Sequence, residues 1–286
     1  MNIAINNGYF KKRYESDVQR DELETARLCK KGGFSLLDCS PDYLTDDNWQ
    51  EKAEALAQAF KEEGITVEQS HAPFNRYDRE PAEIFKEKLS RSFIIASIIG
   101  AKRIVIHADE YSVPAGEYVS EDACRFAYDY FAPLVELASK LGIGVAVENL
   151  FEDGMGGKYR SRCTSTTEEI LRILELFNDP IVTCCWDFGH AAVAFKENML
   201  GELKKVGKYV TCTHVHDNYL YDDLHLPLFL GKIDWKSHIE YLREINYPGA
   251  FTFECVYGTI PEPSMIDFLK YQHNAAEYLV NGGISE

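Results

Sequence analysis

Eight short β-rich runs recur along the chain, each followed by an amphipathic stretch, and this alternation limits the available folds more than any other feature. The runs are NIAI (2–5), FSLLDC (34–39), TVEQSH (66–71), RIVIH (103–107), GVAVEN (144–149), VTCCWD (182–187), VTCTHVH (210–216) and AFTFEC (250–255). Several are continuously apolar, as strands buried on both faces must be. Between them, Ala53, Leu56, Ala57 and Phe60 fall at helical spacing, and the pattern stops at Gly64. Ile170, Ile173, Leu174 and Phe177 repeat it, introduced by Ser165-x-x-Glu168, the spacing of a capping box. Pro133 interrupts the helical stretch 121–141 and predicts a kink or a late start there. Eight strand–helix units in 286 residues predict a parallel sheet covered by helices and closed as one (β/α)8 barrel over 1–286. A doubly wound open sheet is the alternative. No GxGxxG follows the first run and no GxxxxGK[ST] occurs, so no nucleotide cofactor is expected.

The ionisable residues gather at the C-terminal ends of these runs. His71, His107, Glu148, Asp187, His214 with His216, and Glu254 close six successive strands. In a barrel those ends share one rim, the face on which active sites are built. A structural barrel would place Val, Ile or Leu there, and unpaired buried charges cost several kcal/mol unless a cation offsets them. Two Glu, an Asp and at least one His match one divalent ion such as Mn, Mg, Co or Zn. His214 and His216, two residues apart on an extended run, point to the same side. Two imidazoles on one face either hold an ion or a substrate or fill the core at a cost, and Asp217 beside His216 could set its tautomer. His238 and His273 fall in helical stretches and read as surface or satisfied histidines.

Composition narrows the partners. With 46 acidic and 30 basic side chains the formal charge is −16, which disfavours a polyanion such as nucleic acid. The start MNIAI lacks the cationic segment of a secretory signal, and no apolar run approaches the roughly 18 residues of a membrane span. Cys29, Cys39, Cys124, Cys163, Cys184, Cys185, Cys212 and Cys255 form no CxxC, and several sit in strand-like runs. They read as core thiols of a cytoplasmic protein; of the adjacent Cys184 and Cys185, at most one faces the mouth.

HAPF (71–74), VIHAD (105–109), VENL (147–150), WDFGHA (186–191), THVHDN (213–218), DLHLPLFLGKIDW (223–235) and FEC (253–255) together resemble one family, the xylose isomerase-like TIM barrels. That family unites sugar and sugar-phosphate isomerases and epimerases, inosose dehydratases and zinc-dependent apurinic endonucleases. Its ketose epimerases hold one divalent metal with Glu, Asp, His and Glu; the resemblance carries these onto Glu148, Asp187, His216 and Glu254. It also carries a substrate-contacting histidine onto His190 and leaves His71, His107 and His214 to line the substrate site. The implied reaction is proton transfer α to a carbonyl through a metal-stabilised enediolate, with Glu148 and Glu254 as base and acid.

One feature departs from the epimerase pattern. The substrate-binding Arg expected after strand 7 is replaced by Tyr219, Tyr221 and an Asp223-x-His225 pair. The nine ligands of the trinuclear endonucleases resemble His71, His107, Glu148, Asp187, His190, His214, Asp223, His225 and Glu254, so Asp223 and His225 are possible extra metal ligands. His216 stands where those endonucleases carry Asn, and no basic, aromatic-interleaved loop suited to a duplex is evident. A small sugar or sugar phosphate is the expected partner, with a dehydratase or lyase of a keto-sugar as the alternative and an endonuclease a further one. Arg76, Lys158, Arg160 and Lys232 are available for a phosphate, FEDGMGGKYRSR (151–162) for a lid, and HLPLFL (225–230) for a neighbouring subunit in a homo-oligomer.

Overall fold

The computed structural model describes residues 1–11, 20–74, 81–111, 113, 116–152, 162–255 and 260–282. Eight parallel strands form a (β/α)8 barrel: β1 (Asn2–Asn6), β2 (Leu36–Asp38), β3 (Thr66–His71), β4 (Arg103–Ile106), β5 (Gly144–Glu148), β6 (Val182–Asp187), β7 (Val210–His214) and β8 (Ala250–Phe253). Neighbours in sequence are neighbours in the sheet, and β1 pairs with both β2 and β8. β7 and β8 meet through a parallel bridge between Val215 and Phe253, where Val215 N–H donates to the Thr252 carbonyl at 2.7 Å.

The helices are α1 (Glu22–Lys31), α2 (Trp49–Glu63), α3 (Ala82–Ile98), α4 (Ser120–Leu141), α5 (Thr167–Phe177), α6 (Phe188–Phe195), α7 (Met199–Val206), α8 (Trp235–Glu244) and α9 (Met265–Val280). Helix α2 stops where the sequence predicts, at Gly64, whose φ of 63° is left-handed and costs glycine nothing. Helix α4 starts at Ser120 and continues through Pro133, so the expected late start does not occur. The cap of α5 lies one residue beyond the expected box: Thr166 accepts from Glu169 N–H. A capping box does occur at α1, where Asp21 and Glu24 satisfy each other's backbone N–H groups.

Alternation along each strand divides the core. Ile104, Ile106, Val145 and Val147 face the helices, whereas Val105, Ala146, Cys185 and Cys212 form a small cluster inside the barrel. Cys184 and Cys185 therefore face opposite sides, and all eight cysteines are buried. No helix among the described residues is long and apolar enough to cross a membrane.

Candidate metal centre

Every strand delivers a polar side chain at or just beyond its C-terminal end: Asn6, Asp38, His71, His107, Glu148, Asp187, His214 and Glu254. Glu148 lies at the middle of four imidazoles. Its Oε2 is 3.0 Å from His71 Nε2 and 3.1 Å from His107 Nε2; its Oε1 is 3.1 Å from His214 Nδ1 and 3.2 Å from His190 Nδ1. The loop after β5 returns to hold the backbone here, with Thr164 Oγ1 donating to the Glu148 carbonyl at 2.7 Å.

Asp187 ends β6 and caps α6, its Oδ1 accepting from the His190 backbone N–H at 2.7 Å. A carboxylate is favoured at that helix N-terminus. Asn149 fixes the same junction from both directions, accepting from Asp187 N–H at 2.7 Å and donating to the Asp187 carbonyl at 2.9 Å. Glu254 accepts from Asn6 Nδ2 at 2.8 Å. Asp223 and His225 arrive on the loop after β7, with His225 Nε2 3.2 Å and His190 Nε2 3.6 Å from Asp223 Oδ2.

The two histidines of THVHDN part company. Strand β7 ends at His214, whose Nδ1 faces Glu148 and, at 3.7 Å, Asp187, while its Nε2 lies 3.6 Å from Glu254. His216 reaches Asp187 at 3.1 Å and Asp223 at 3.8 Å, and its ring stacks on His225 with centroids 3.9 Å apart. Two residues of extended chain carry a side chain about 6–7 Å along the strand, so His216 sits one layer farther out. The geometry thus gathers His214, where the epimerase resemblance puts His216, with Glu148, Asp187 and Glu254. Asp217 does not touch His216: its carboxylate accepts from Ile233 N–H and from Trp235 Nε1 at 3.1 Å, beneath the loop. Four groups bring one ligand atom per residue within 4.8 Å of one another: His71–His107–Glu148, Glu148–Asp187–His214, Asp38–His214–Glu254 and His216–Asp223–His225.

The hydrogen bonds test whether cations fit. His71 Nδ1 lies 2.7 Å from the Ala72 carbonyl, His190 Nδ1 2.9 Å from the Asn149 carbonyl, and His225 Nδ1 2.6 Å from the Glu254 carbonyl. A carbonyl can only accept, so each Nδ1 carries the proton and each Nε2 turns toward a carboxylate. A lone pair facing a carboxylate oxygen is repulsive unless a proton or a cation lies between them. His214 is fully buried and neither ring nitrogen makes a directed hydrogen bond to a described residue, although Glu148 is in contact. The donor set fits divalent cations.

Protons compensate the carboxylates in the metal-free protein. Burial pulls His190 and His214 down, yet the neighbouring carboxylates outweigh it and hold both well above the usual imidazole value. His225 is pushed up to about 9, burial being overcome by Asp223. Burial acts to raise Glu148, but His214 and His107 prevail and hold it well below the usual carboxylate range. Among these imidazoles only His107 moves down, because burial dominates.

A cavity of about 700 Å³ opens above the centre, floored by His71, His107, Glu148, His190, Asp223 and Glu254. Phe74, half exposed and stacked on His107 at 4.6 Å, forms part of its wall with Phe151 and Arg162. Of the cations considered for a phosphate, Lys232 is exposed and does not line this cavity. Arg76, Lys158, Arg160 and most of the 151–162 loop lie outside the described residues. Arg162 was not among them, although it lines the cavity, clamped by Asp109 at 2.8 Å. Asn6 and Asp38 are also additions, foreshadowed only by their places at the ends of the first two runs. His238 and His273 sit on α8 and α9; His238 is buried, with Nδ1 2.6 Å from the Asp234 carbonyl.

A family model described as xylose isomerase-like TIM barrel matches residues 26–272. The chain belongs to that family. The uncharacterised protein MJ1311 of Methanocaldococcus jannaschii is 28% identical over 226 residues, spanning 76% of this chain and 72% of its own length. SgbU of Haemophilus influenzae, provisionally an L-ribulose-5-phosphate 3-epimerase, is 23% identical over 266 residues, covering 86% of this chain and 87% of its own. The solved structure of IOLI protein with a binding zinc atom superposes with a TM-score of 0.76 at 18% identity, covering 100% of both chains. Sugar epimerases recur among the other solved structures of this shape.

Proposed function

We propose that the protein is a divalent-metal-dependent isomerase or epimerase of a sugar or sugar phosphate. The observation that carries this reading is the placement of two carboxylates, Glu148 and Glu254, on opposite nitrogens of the buried His214, with Asp187 beside them. Glu148, Asp187 and His214, the last through Nδ1, would hold the ion, with His214 taking the place that the sequence resemblance gave to His216 and Glu254, on the Nε2 side of the ring, falling outside that set. A divalent ion bound there supplies Lewis-acid polarisation of a carbonyl and of the enediolate charge that follows deprotonation. Glu254, at the cavity floor, removes the proton from the carbon next to the carbonyl, and the electron pair moves onto the carbonyl oxygen. Glu148, on the other side, delivers to the opposite face of that carbon a proton passed to it by His71 Nε2, 3.0 Å away, and the electron pair returns from oxygen to carbon. His71, His107 and His190 orient the substrate's hydroxyls or its ions, and the aromatic wall at Phe74 excludes water from the reacting centre.

Epimerases among the similar structures and the SgbU resemblance support this reading, and a probable 3-DHS dehydratase among the same structures keeps a dehydratase as the alternative. A second reading has its own observation: His71, His190 and His225 each carry the tautomer of a metal ligand, which suits two or three ions and phosphoester cleavage. Metal content per chain, measured after purification without chelator, separates the two. About one ion, with solvent deuterium entering a ketose at the carbon beside its carbonyl, supports the epimerase. Two or three zinc ions, no exchange on a ketose panel and cleavage of abasic DNA would replace it with the second.

A further inference from the structure

Asp38 stands at the end of β2, inside the barrel and fully buried. Its Oδ2 accepts from Gln69 Nε2 at 3.1 Å, and Gln69 Oε1 accepts from Thr252 Oγ1 at 3.3 Å, so β3 and β8 fix the carboxylate in place. Its Oδ1 has no hydrogen-bond partner among the described residues. Oδ2 lies 3.6 Å from Nε2 of His214, the nitrogen turned away from Glu148 and Asp187.

A buried carboxylate beside a buried imidazole is costly unless the two share a proton. A neutral imidazole carries one N–H, so if Nδ1 offers its lone pair to an ion, the proton resides on Nε2. Two oxygens lie at 3.6 Å from that Nε2, Asp38 Oδ2 and Glu254 Oε1. Glu254 already accepts from Asn6 and lines the cavity, where it serves as the base; Asp38 does not line the cavity. We infer that Asp38 is the acceptor of the His214 Nε2 proton, a positioning residue that fixes the tautomer and ring plane of His214 so that Nδ1 faces the ion site shared with Glu148 and Asp187. Gln69 and Thr252 in turn hold Asp38. Outer partners of this kind, when removed, weaken metal affinity by roughly ten- to hundredfold. The inference rests on the ligand assignment proposed above.

Zinc alone is the probe. In zinc-loaded wild-type protein, 15N–1H correlation of the histidine rings should show His214 protonated at Nε2 and bare at Nδ1. Asp38→Asn, which keeps the shape and removes the acceptor charge, should weaken zinc binding roughly ten- to hundredfold in competition with a chromophoric chelator. Gln69→Met, which releases Asp38 but leaves its charge, should shift affinity in the same direction by less. Wild-type protein that binds no zinc would overturn the ligand assignment and this inference together. Wild-type protein that binds zinc with His214 bare at Nε2, or an Asp38→Asn protein that binds zinc as the wild type does, would overturn the role of Asp38 alone. The wild-type spectrum decides even if neither variant folds.

Discussion

Gly189 and His216 occupy adjoining space so closely that a Cβ on Gly189 would stand 1.7 Å from Cε1 of the imidazole. Gly189 lies in the first turn of α6 with helical backbone, so space and not φ demands glycine there. The neighbour is a fully buried ring stacked on His225, and it has nowhere to retreat without leaving Asp187. Gly189→Ala should therefore displace His216 and cost about 1–3 kcal/mol of stability, the usual penalty of overpacking. Chemical denaturation and the affinity for zinc should both register it. A variant with unchanged midpoint and affinity would mean that His216 is not held where the structure puts it.

Glu254 is restrained by Asn6 on one oxygen and open to the cavity. Glu254→Gln preserves that hydrogen-bonding geometry while removing the base. Turnover on the true substrate should fall beyond tenfold, while thermal stability stays near that of the wild type. Retained turnover would remove Glu254 from the mechanism.

Much of this site could be read from the chain. Strand ends rich in His, Glu and Asp announce the mouth because each strand's end is visible as the last apolar residue before a polar one. The layers within the mouth were not visible. The spacing of His214 and His216 gives a shared direction, but their partners depend on β7 ending at His214 and on the bridge at Val215 that carries His216 outward. Asp38 went unread because the second strand has only three residues, too few for alternation to declare which face is inside. Asp217 was drawn to Trp235 by a loop closed through paired hydrogen bonds between Asp217 and Leu226, a contact no local spacing encodes.

Protons and metal ions compete for the same nitrogens, which gives a pH dependence with a definite sign. His225 has its value raised from 6.5 to about 9 by Asp223 against the opposing effect of burial. In the metal-free protein its protonated form contributes stability that is fully present below 6.5 and lost as pH rises through about 9. A bound ion needs that nitrogen bare, so the stabilisation by metal grows over the same window. The rise in Tm produced by saturating zinc should be larger at pH 9 than at pH 6.5, while metal-free Tm falls between them. An equal rise at both pH values would place His225 outside the metal centre.

Arg162 and Asp109 form the wall of the cavity as a buried pair. Both Nε and Nη2 of Arg162 contact one oxygen, Asp109 Oδ2, at 2.8 and 2.7 Å, and the guanidinium lies 5.8 Å over the ring of Phe151. Lysine keeps the charge but loses the planar fork and the stacking, so Arg162→Lys is not a conservative change. Hydrogen bonds between charged groups contribute about 1.5–3 kcal/mol, and one of the two is lost. Arg162→Lys should lower the urea midpoint without changing the slope of the transition, and should raise KM more than it lowers kcat if the guanidinium also meets substrate hydroxyls in the cavity. An unchanged midpoint would show that the pair contributes nothing net to the fold, and an unchanged KM that the substrate does not reach this wall.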